Sequence, residues 1–267
     1  MIRLRVISAV FIALLLVAAV MLLPAFWSAA ALSVVLLAAA WEWSGFLGNQ
    51  GSPRVVFVLA TIALCALLWR LTGSSSALRL ALWFALLFWC AALLWVFFLP
   101  RRVNRSMVAA AGLLALSLAW LALVRMRLDL AHGERAVMYA LLIVWLADSG
   151  AYFAGRALGV RKLAPAVSPG KTWAGMWGGL LACAVLAVVS AQVFGVPWQA
   201  LLLVTLVAGL FSVVGDLTES LCKRFAGLKD SGSLIPGHGG VLDRFDSLLA
   251  AAPVLMLGIE LLPALRA

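Results

Sequence analysis

Leu80-Ala81-Leu82-Trp83-Phe84-Ala85-Leu86-Leu87-Phe88-Trp89-Cys90-Ala91-Ala92-Leu93-Leu94-Trp95-Val96-Phe97-Phe98-Leu99 is the stretch on which the fold turns. It holds twenty consecutive residues without a charge and stops at Pro100-Arg101-Arg102. A helix of roughly 20 residues crosses the hydrocarbon layer of a bilayer, because each residue adds about 1.5 Å to its length. A surface helix of a water-soluble domain would keep one polar face, and this run has none.

Working outward, eight more apolar runs have the same character: Val6 to Leu23, Phe26 to Trp41, Val55 to Trp69, Met107 to Val124, Val137 to Phe153, Trp173 to Phe194, Trp198 to Val214 and Phe245 to Leu262. The second and third runs of the chain are short for a crossing and need flanking residues, a thinner bilayer or shielding by neighbours. With 66% apolar and 11% charged residues and a mean hydropathy of +1.14, the 267-residue chain is not the composition of a soluble domain. The expected fold is all-α, a polytopic transmembrane bundle of about nine helices in one integral domain spanning 1–267. Within it, 1–130 reads as hydrophobic scaffold and 131–267 as catalytic helices and loops. Arg3 and Arg5 before the first run resemble a signal peptide, but a second apolar run follows at once, so a retained helix is expected.

The net charge of +10 does not point to nucleic acid, because no basic stripe interleaved with aromatics lies on a soluble domain. The basic residues punctuate the apolar runs instead. With the N-terminus inside and nine crossings, only Arg70, Arg79, Arg125, Arg127, Arg135 and Arg266 fall outside, leaving fourteen of the twenty Lys and Arg on the cytoplasmic side. The Arg125 to Arg135 segment is the weak point of that assignment. Trp41, Trp43, Trp69, Trp173 and Trp198 fall near helix ends, where an indole suits the interface. Cys65, Cys90, Cys183 and Cys222 lack the spacing of a zinc site or disulfide framework and read as packing residues.

Chemistry gathers late in the chain. Six of the ten acidic residues lie between Asp148 and Asp246. An unpaired Asp at the centre of a membrane helix costs about 2.5–3.5 kcal/mol on insertion scales, so such residues face a cavity or a partner. Asp243 and Asp246 share a helical face, as do Asp216, Glu219 and Ser220 on the preceding run. Two such faces can hold one hard cation, and an oxygen set suits Mg²⁺ with open positions for phosphate. His238 and Cys222 are too isolated for zinc. Gly237, Gly239 and Gly240 around His238 allow backbone amides to approach an anion, with Lys223, Arg224, Lys229 and Arg244 nearby. A solvated loop is the plain alternative.

A second polar stretch, Arg161-Lys162-Leu163-Ala164-Pro165-Ala166-Val167-Ser168-Pro169-Gly170-Lys171-Thr172, could hold a triphosphate or a lipid phosphate. Its Gly170-Lys171-Thr172 is not a P-loop, since Pro165 stands where the first glycine belongs and no strand precedes it. The alternative is a basic loop steadied by prolines, with Ser168 capping the next helix. Asp148, inside an apolar run, either lines the same cavity or makes a structural hydrogen bond to a neighbouring helix.

Ser220-x-x-Lys223-Arg224, Lys229-Asp230 and His238-Gly239-Gly240-x-x-Asp243-Arg244-x-Asp246 resemble the signature of the phosphatidate cytidylyltransferase family. Asp148-Ser149-Gly150-Ala151-Tyr152 and Ser168-Pro169-Gly170-Lys171-Thr172-Trp173 are similar to two further family motifs, so the likeness spans at least residues 148–246. Cys222, Ser149 and Ala174 depart from the residues usual in the family. The resemblance implies CTP and phosphatidate as substrates, CDP-diacylglycerol and pyrophosphate as products, and Mg²⁺ as cofactor, with room for a second, monovalent cation. It implies a multi-pass inner-membrane enzyme with a cytoplasmic site, and a homodimer is compatible with it. Asp216, Asp243 and Asp246 are then the expected metal ligands, with Lys223 and Arg224 beside them at the catalytic centre. The expected substrate-binding residues are Lys171, Ser168, Thr172, Lys229, Asp230, His238, Gly239, Gly240, Arg244, Asp148 and Ser220. The rival reading is a cation-coupled transporter, because buried carboxylates and helix breaks also mark ion pathways.

Overall fold

The computed structural model describes the backbone of residues 2–48, 51–232, 234 and 239–265, and the side chains of the same residues apart from 2–10 and 263. His238 therefore lies outside the described residues. Among the described residues run nine α-helices: α1 (Ile2–Met21), α2 (Ala25–Gly45), α3 (Ser52–Leu71), α4 (Ser75–Phe98), α5 (Arg105–Asp129), α6 (Gly133–Leu158), α7 (Trp173–Phe194), α8 (Trp198–Phe225) and α9 (Leu242–Leu261). A short antiparallel hairpin, β1 (Lys162–Ala164) and β2 (Ser168–Thr172), joins α6 to α7. The architecture is a polytopic helical membrane bundle, and α2 to α8 are each long and apolar enough to cross a bilayer.

Helix ends explain where the sequence reading fell short. The two short runs become helices of 21 and 20 residues, α2 and α3, by taking in their flanks. Ser74 and Asn104 start α4 and α5 by accepting hydrogen bonds from the amides of Ala77 and Met107. The largest difference is at α8, which does not stop at Val214 but continues to Phe225 and carries Asp216, Glu219, Ser220, Lys223 and Arg224 on its last turns. Those positions recur at helical spacing, so the polar segment keeps its backbone hydrogen bonds while turning one face to α9.

Helix α9 is the centre of the bundle. It packs against α2, α4, α5, α6 and α8, and every residue from Asp246 to Leu257 is buried. A helix apolar all round belongs inside, and this one is walled by protein rather than lipid. Its acidic first turn is tolerable for that reason. Gly215 makes the α8–α9 approach possible, since a Cβ there would lie 2.6 Å from the Asp246 carbonyl oxygen.

The α6–α7 pair approaches as closely. A Cβ on Gly150 would stand 2.6 Å from the Gly178 carbonyl oxygen, and one on Gly179 2.7 Å from that of Ala147. The two backbones meet without side chains between them, the packing that small residues permit in membranes.

At the far end of the bundle the awkward Arg125 and Arg127 are not solvated loop charges. Both are buried near the end of α5. The Arg125 guanidinium donates to the carbonyl oxygens of Trp69 (3.3 Å) and Thr72 (2.9 Å), pairs with Asp129 at 3.1 Å and lies 3.9 Å from the centroid of a Trp69 ring. Arg127 donates to the Leu23 carbonyl oxygen at 2.9 Å. These cations satisfy orphan carbonyls after α1 and at the end of α3, so they are structural clasps rather than topological signals. Trp43 likewise is no interface anchor: it is buried, and its indole N–H donates to the Val108 carbonyl oxygen at 2.9 Å.

Candidate active site

Four helix ends meet at the opposite pole from the arginine clasps: the C-terminal ends of α2, α6 and α8 and the N-terminal end of α9, with the hairpin beside them. A cavity of about 420 Å³ opens between α6, α7, α8 and the hairpin, within the size range of small-ligand sites. Its lining carries the polar side chains of Asp148, Arg156, Lys171, Thr172 and Asp216 together with the apolar ones of Leu163, Met176, Leu180 and Val213. Asp148 is exposed to this space, so of its two readings the cavity-lining one describes the structure.

The hairpin sets one of these side chains. β1 and β2 pair Lys162 with Thr172 and Ala164 with Ser168, and Leu163, Ala164 and Val167 are buried beneath it. Pro165 and Pro169 sit in the turn and in a peripheral strand, places where a missing N–H is tolerated. The Trp173 amide donates to the Arg161 carbonyl oxygen at 3.0 Å, closing the hairpin against α7. The cap of α7 is Thr172, whose hydroxyl accepts from the Gly175 amide at 3.1 Å, and not Ser168 as the spacing had allowed. Thr172 lies within the strand, which carries the cap to the helix end, while Ser168 is left at the strand's start. Lys171, one residue before the cap, reaches across to form an ion pair with Asp216 of α8. Ser220 donates to the other Asp216 oxygen at 3.3 Å.

One turn further along α8 lies a second polar network. Lys223 Nζ stands 2.7 Å from both Glu219 and Asp243, tying α8 to the start of α9. The remaining Asp243 oxygen accepts the amides of Ser231 and Gly240, each at 2.9 Å. Asp243 precedes the apolar run of α9. Burial there pushes its carboxyl up, but the Lys223 hydrogen bond and the two amides outweigh burial and hold it below the ordinary carboxylate value. The Gly240 amide is thus directed at the protein's own carboxylate. Gly239, at φ +82°, makes the turn that brings it there.

Asp246 joins the two networks. It is buried one turn into α9, accepts the Ser247 amide at 2.6 Å, and lies in the electrostatic field of Asp216, Glu219, Asp148 and Lys171. Arg244 is exposed and acts electrostatically on Asp148. Arg224, Lys229 and Asp230 are exposed at the same end, outside both networks.

The donor set suits a hard divalent cation. All of it is carboxylate oxygen, and among the described residues neither oxygen of the buried Glu219 has a properly directed hydrogen bond despite the nearby ammonium. Lys171 and Lys223 supply the positive charge that the carboxylates face in this structure. Among the described residues no three acidic, His or Cys side chains are already gathered as a ligand cluster.

Sequence reasoning missed Glu42. This lone acid of α2 is buried, and one of its oxygens accepts from the Ser231 hydroxyl at 3.0 Å and the Leu242 amide at 2.8 Å. The available signal was a single charge inside an apolar run, between Trp41 and Trp43.

The phosphatidate cytidylyltransferase of Haemophilus influenzae is 38% identical over 280 residues, covering 95% of this chain and 96% of the relative. That of Pseudomonas aeruginosa is 40% identical, covering 95% of each. That of Bacillus subtilis is 48% identical over 126 residues, 46% of this chain. The cytidylyltransferase family model matches residues 3–262, which include both polar networks and the scaffold helices around them. The match leaves no place for the transporter reading, and the chain belongs to the cytidylyltransferase family.

Proposed function

We propose that the chain transfers the cytidylyl group of CTP to phosphatidate, giving CDP-diacylglycerol and pyrophosphate. The observation that carries this reading is the Lys171–Asp216 pair on the wall of a cavity lined by both charged and apolar side chains. A substrate that is half phosphate and half acyl chain needs such a site. The nearly full-length relatives supply the cytidylyl and phosphatidate halves of the assignment.

In the reaction a phosphate oxygen of phosphatidate attacks the α-phosphorus of CTP, and the bond from that phosphorus to the bridging oxygen breaks as pyrophosphate leaves. Both reactants are anions, so their approach must be neutralised and held in line. Lys171 and Lys223 offer ammonium groups already oriented by Asp216, Glu219 and Asp243. Arg224, Lys229 and Arg244 add positive charge at the same end of the bundle. Ser168, Thr172, Asp230 and the Gly239-Gly240 turn shape the approaches to it. Asp216 and Asp246, with Asp243 once it releases Lys223, are the residues that would hold Mg²⁺. Bound there, the ion would supply charge neutralisation and alignment of phosphate oxygens. The lipid phosphate is itself the nucleophile, so no covalent enzyme intermediate is needed.

The concentration of Lys and Arg at this end supports a cytoplasmic site in an inner membrane. The test is Mg²⁺-dependent incorporation of labelled CTP into chloroform-soluble lipid by purified protein in detergent, with phosphatidate present or omitted. Incorporation only when phosphatidate is present is expected; none with any phosphatidate and CTP pair would refute the assignment.

A further inference from the structure

Glu42 belongs to the half of the chain that reads as scaffold, yet it is the only acid of α1–α4 among the described residues, and it is almost completely buried, 2% exposed. One oxygen, Oε2, accepts two hydrogen bonds from different parts of the site loop: the Ser231 hydroxyl at 3.0 Å and the Leu242 amide at 2.8 Å. The other, Oε1, is buried with no hydrogen-bond partner among the described residues. A carboxylate so placed is costly unless it holds something in place, and a single apolar residue would fill the same volume more cheaply.

What it holds can be followed bond by bond. Ser231 receives the Asp243 amide on its hydroxyl at 3.3 Å and returns its own amide to Asp243 Oδ2 at 2.9 Å. Asp243 in turn grips Lys223 at 2.7 Å. The Leu242 amide is one of the orphan donors at the start of α9, so Glu42 satisfies from another helix a group that no residue of α9 itself caps. The fit is tight as well: a Cβ on Gly232 or Gly240 would come within 2.4 Å of a Glu42 oxygen. The turn backbone is moulded around this carboxylate.

We infer that Glu42 is a positioning residue for cytidylyl transfer, fixing Ser231 and the first turn of α9 so that Asp243 presents Lys223 to the reacting phosphates. Neither of its hydrogen-bond partners, Ser231 and Leu242, lines the 420 Å³ cavity, so its loss is expected to act on the chemical step rather than on substrate capture. The inference rests on the function proposed above and adds a residue of the N-terminal half to its machinery.

The experiment compares purified full-length parent, Glu42→Ala, Glu42→Gln and Ser231→Ala in the same detergent. Each is measured for kcat, for KM of CTP and phosphatidate, and for its thermal midpoint. Glutamine retains an acceptor oxygen for Ser231 and Leu242 without the charge. The expected result is a kcat at least tenfold lower in Glu42→Ala with both KM values within about twofold of the parent, and recovery to within about threefold in Glu42→Gln. Ser231→Ala should lower kcat several-fold, and added to Glu42→Ala it should cost less than the product of the two single losses, because the residues act in one chain. Parental kcat in a folded Glu42→Ala overturns the inference. So does an equal loss in the Ala and Gln variants that follows their thermal midpoints. If Glu42→Ala does not fold, an unchanged kcat in Ser231→Ala overturns it instead. A parent protein that makes no CDP-diacylglycerol would refute the proposed function, a result distinct from any of these.

Discussion

The two poles of the bundle both bury cations, and they do so in different ways. At one pole Arg125 and Arg127 are directed at backbone carbonyl oxygens of neighbouring helices. At the other, Lys171 and Lys223 are directed at carboxylates on side chains, around an open cavity or beside it. A guanidinium on carbonyls has partners that cannot leave, because they are the ends of helices. An ammonium on a carboxylate has a partner that can be exchanged for a phosphate. The arginines thus have backbone carbonyl partners besides Asp129 and Glu134, whereas the lysines proposed to serve the reaction pair with carboxylates.

The comparison breaks most readily at Lys223. Lys223→Ala leaves Glu219 and Asp243 facing each other without a cation, and both are largely buried, so a loss of about 3–5 kcal/mol in stability is expected along with activity. Thermal unfolding in detergent together with the CTP assay checks it; a parental midpoint would mean that this ion pair carries no structural load. Next, Asp246→Asn and Asp216→Asn are expected to lower turnover about 100-fold, the upper range for disturbing a metal's surroundings, with the elution profile of the folded protein kept. Near-parental turnover in both would remove the metal assignment.

The opposite pole sharpens the contrast. Arg125→Ala gives up two carbonyl acceptors and its stacking on Trp69, and is expected to cost about 2–3 kcal/mol of stability while kcat and both KM values per folded molecule stay unchanged. The bond to Asp129 adds little to that figure, because Asp129 is partly open to solvent. A lowered kcat in this variant would show that the two poles are coupled. Smallest is Lys171→Ala, expected to raise the KM for CTP or phosphatidate about tenfold, or 1.4 kcal/mol, with kcat less affected. Unchanged kinetics for both substrates would make the hairpin a topological connector only.

Most of the fold was legible because a bilayer leaves few choices: an uncharged run the length of Leu80–Leu99 has to be a crossing helix. The end of α8 was less so. Asp216, Glu219 and Ser220 were legible as one helical face, but the apolar pattern that marks the helix stops at Val214, and how far its polar turns extend depends on their packing against α9. The motif residues Asp148, Lys171 and Asp216 line one cavity. The hairpin, the Thr172 cap and the Glu42 contact were illegible for a common reason. Each depends on which helix lies beside which, and a hydropathy profile carries no information about neighbours. The arginines at the end of α5 misled for the same cause, since a buried clasp and a solvated loop charge are identical in one dimension.

The α6–α7 seam has a mechanical consequence. Where Gly150 meets Gly178 and Ala147 meets Gly179, backbone rests on backbone, and such a contact has no rotamers through which to yield. The two helices must travel as one plank. Any widening of the chamber to admit a two-tailed lipid, or narrowing once it has entered, would then be left to α8, the wall that carries Asp216.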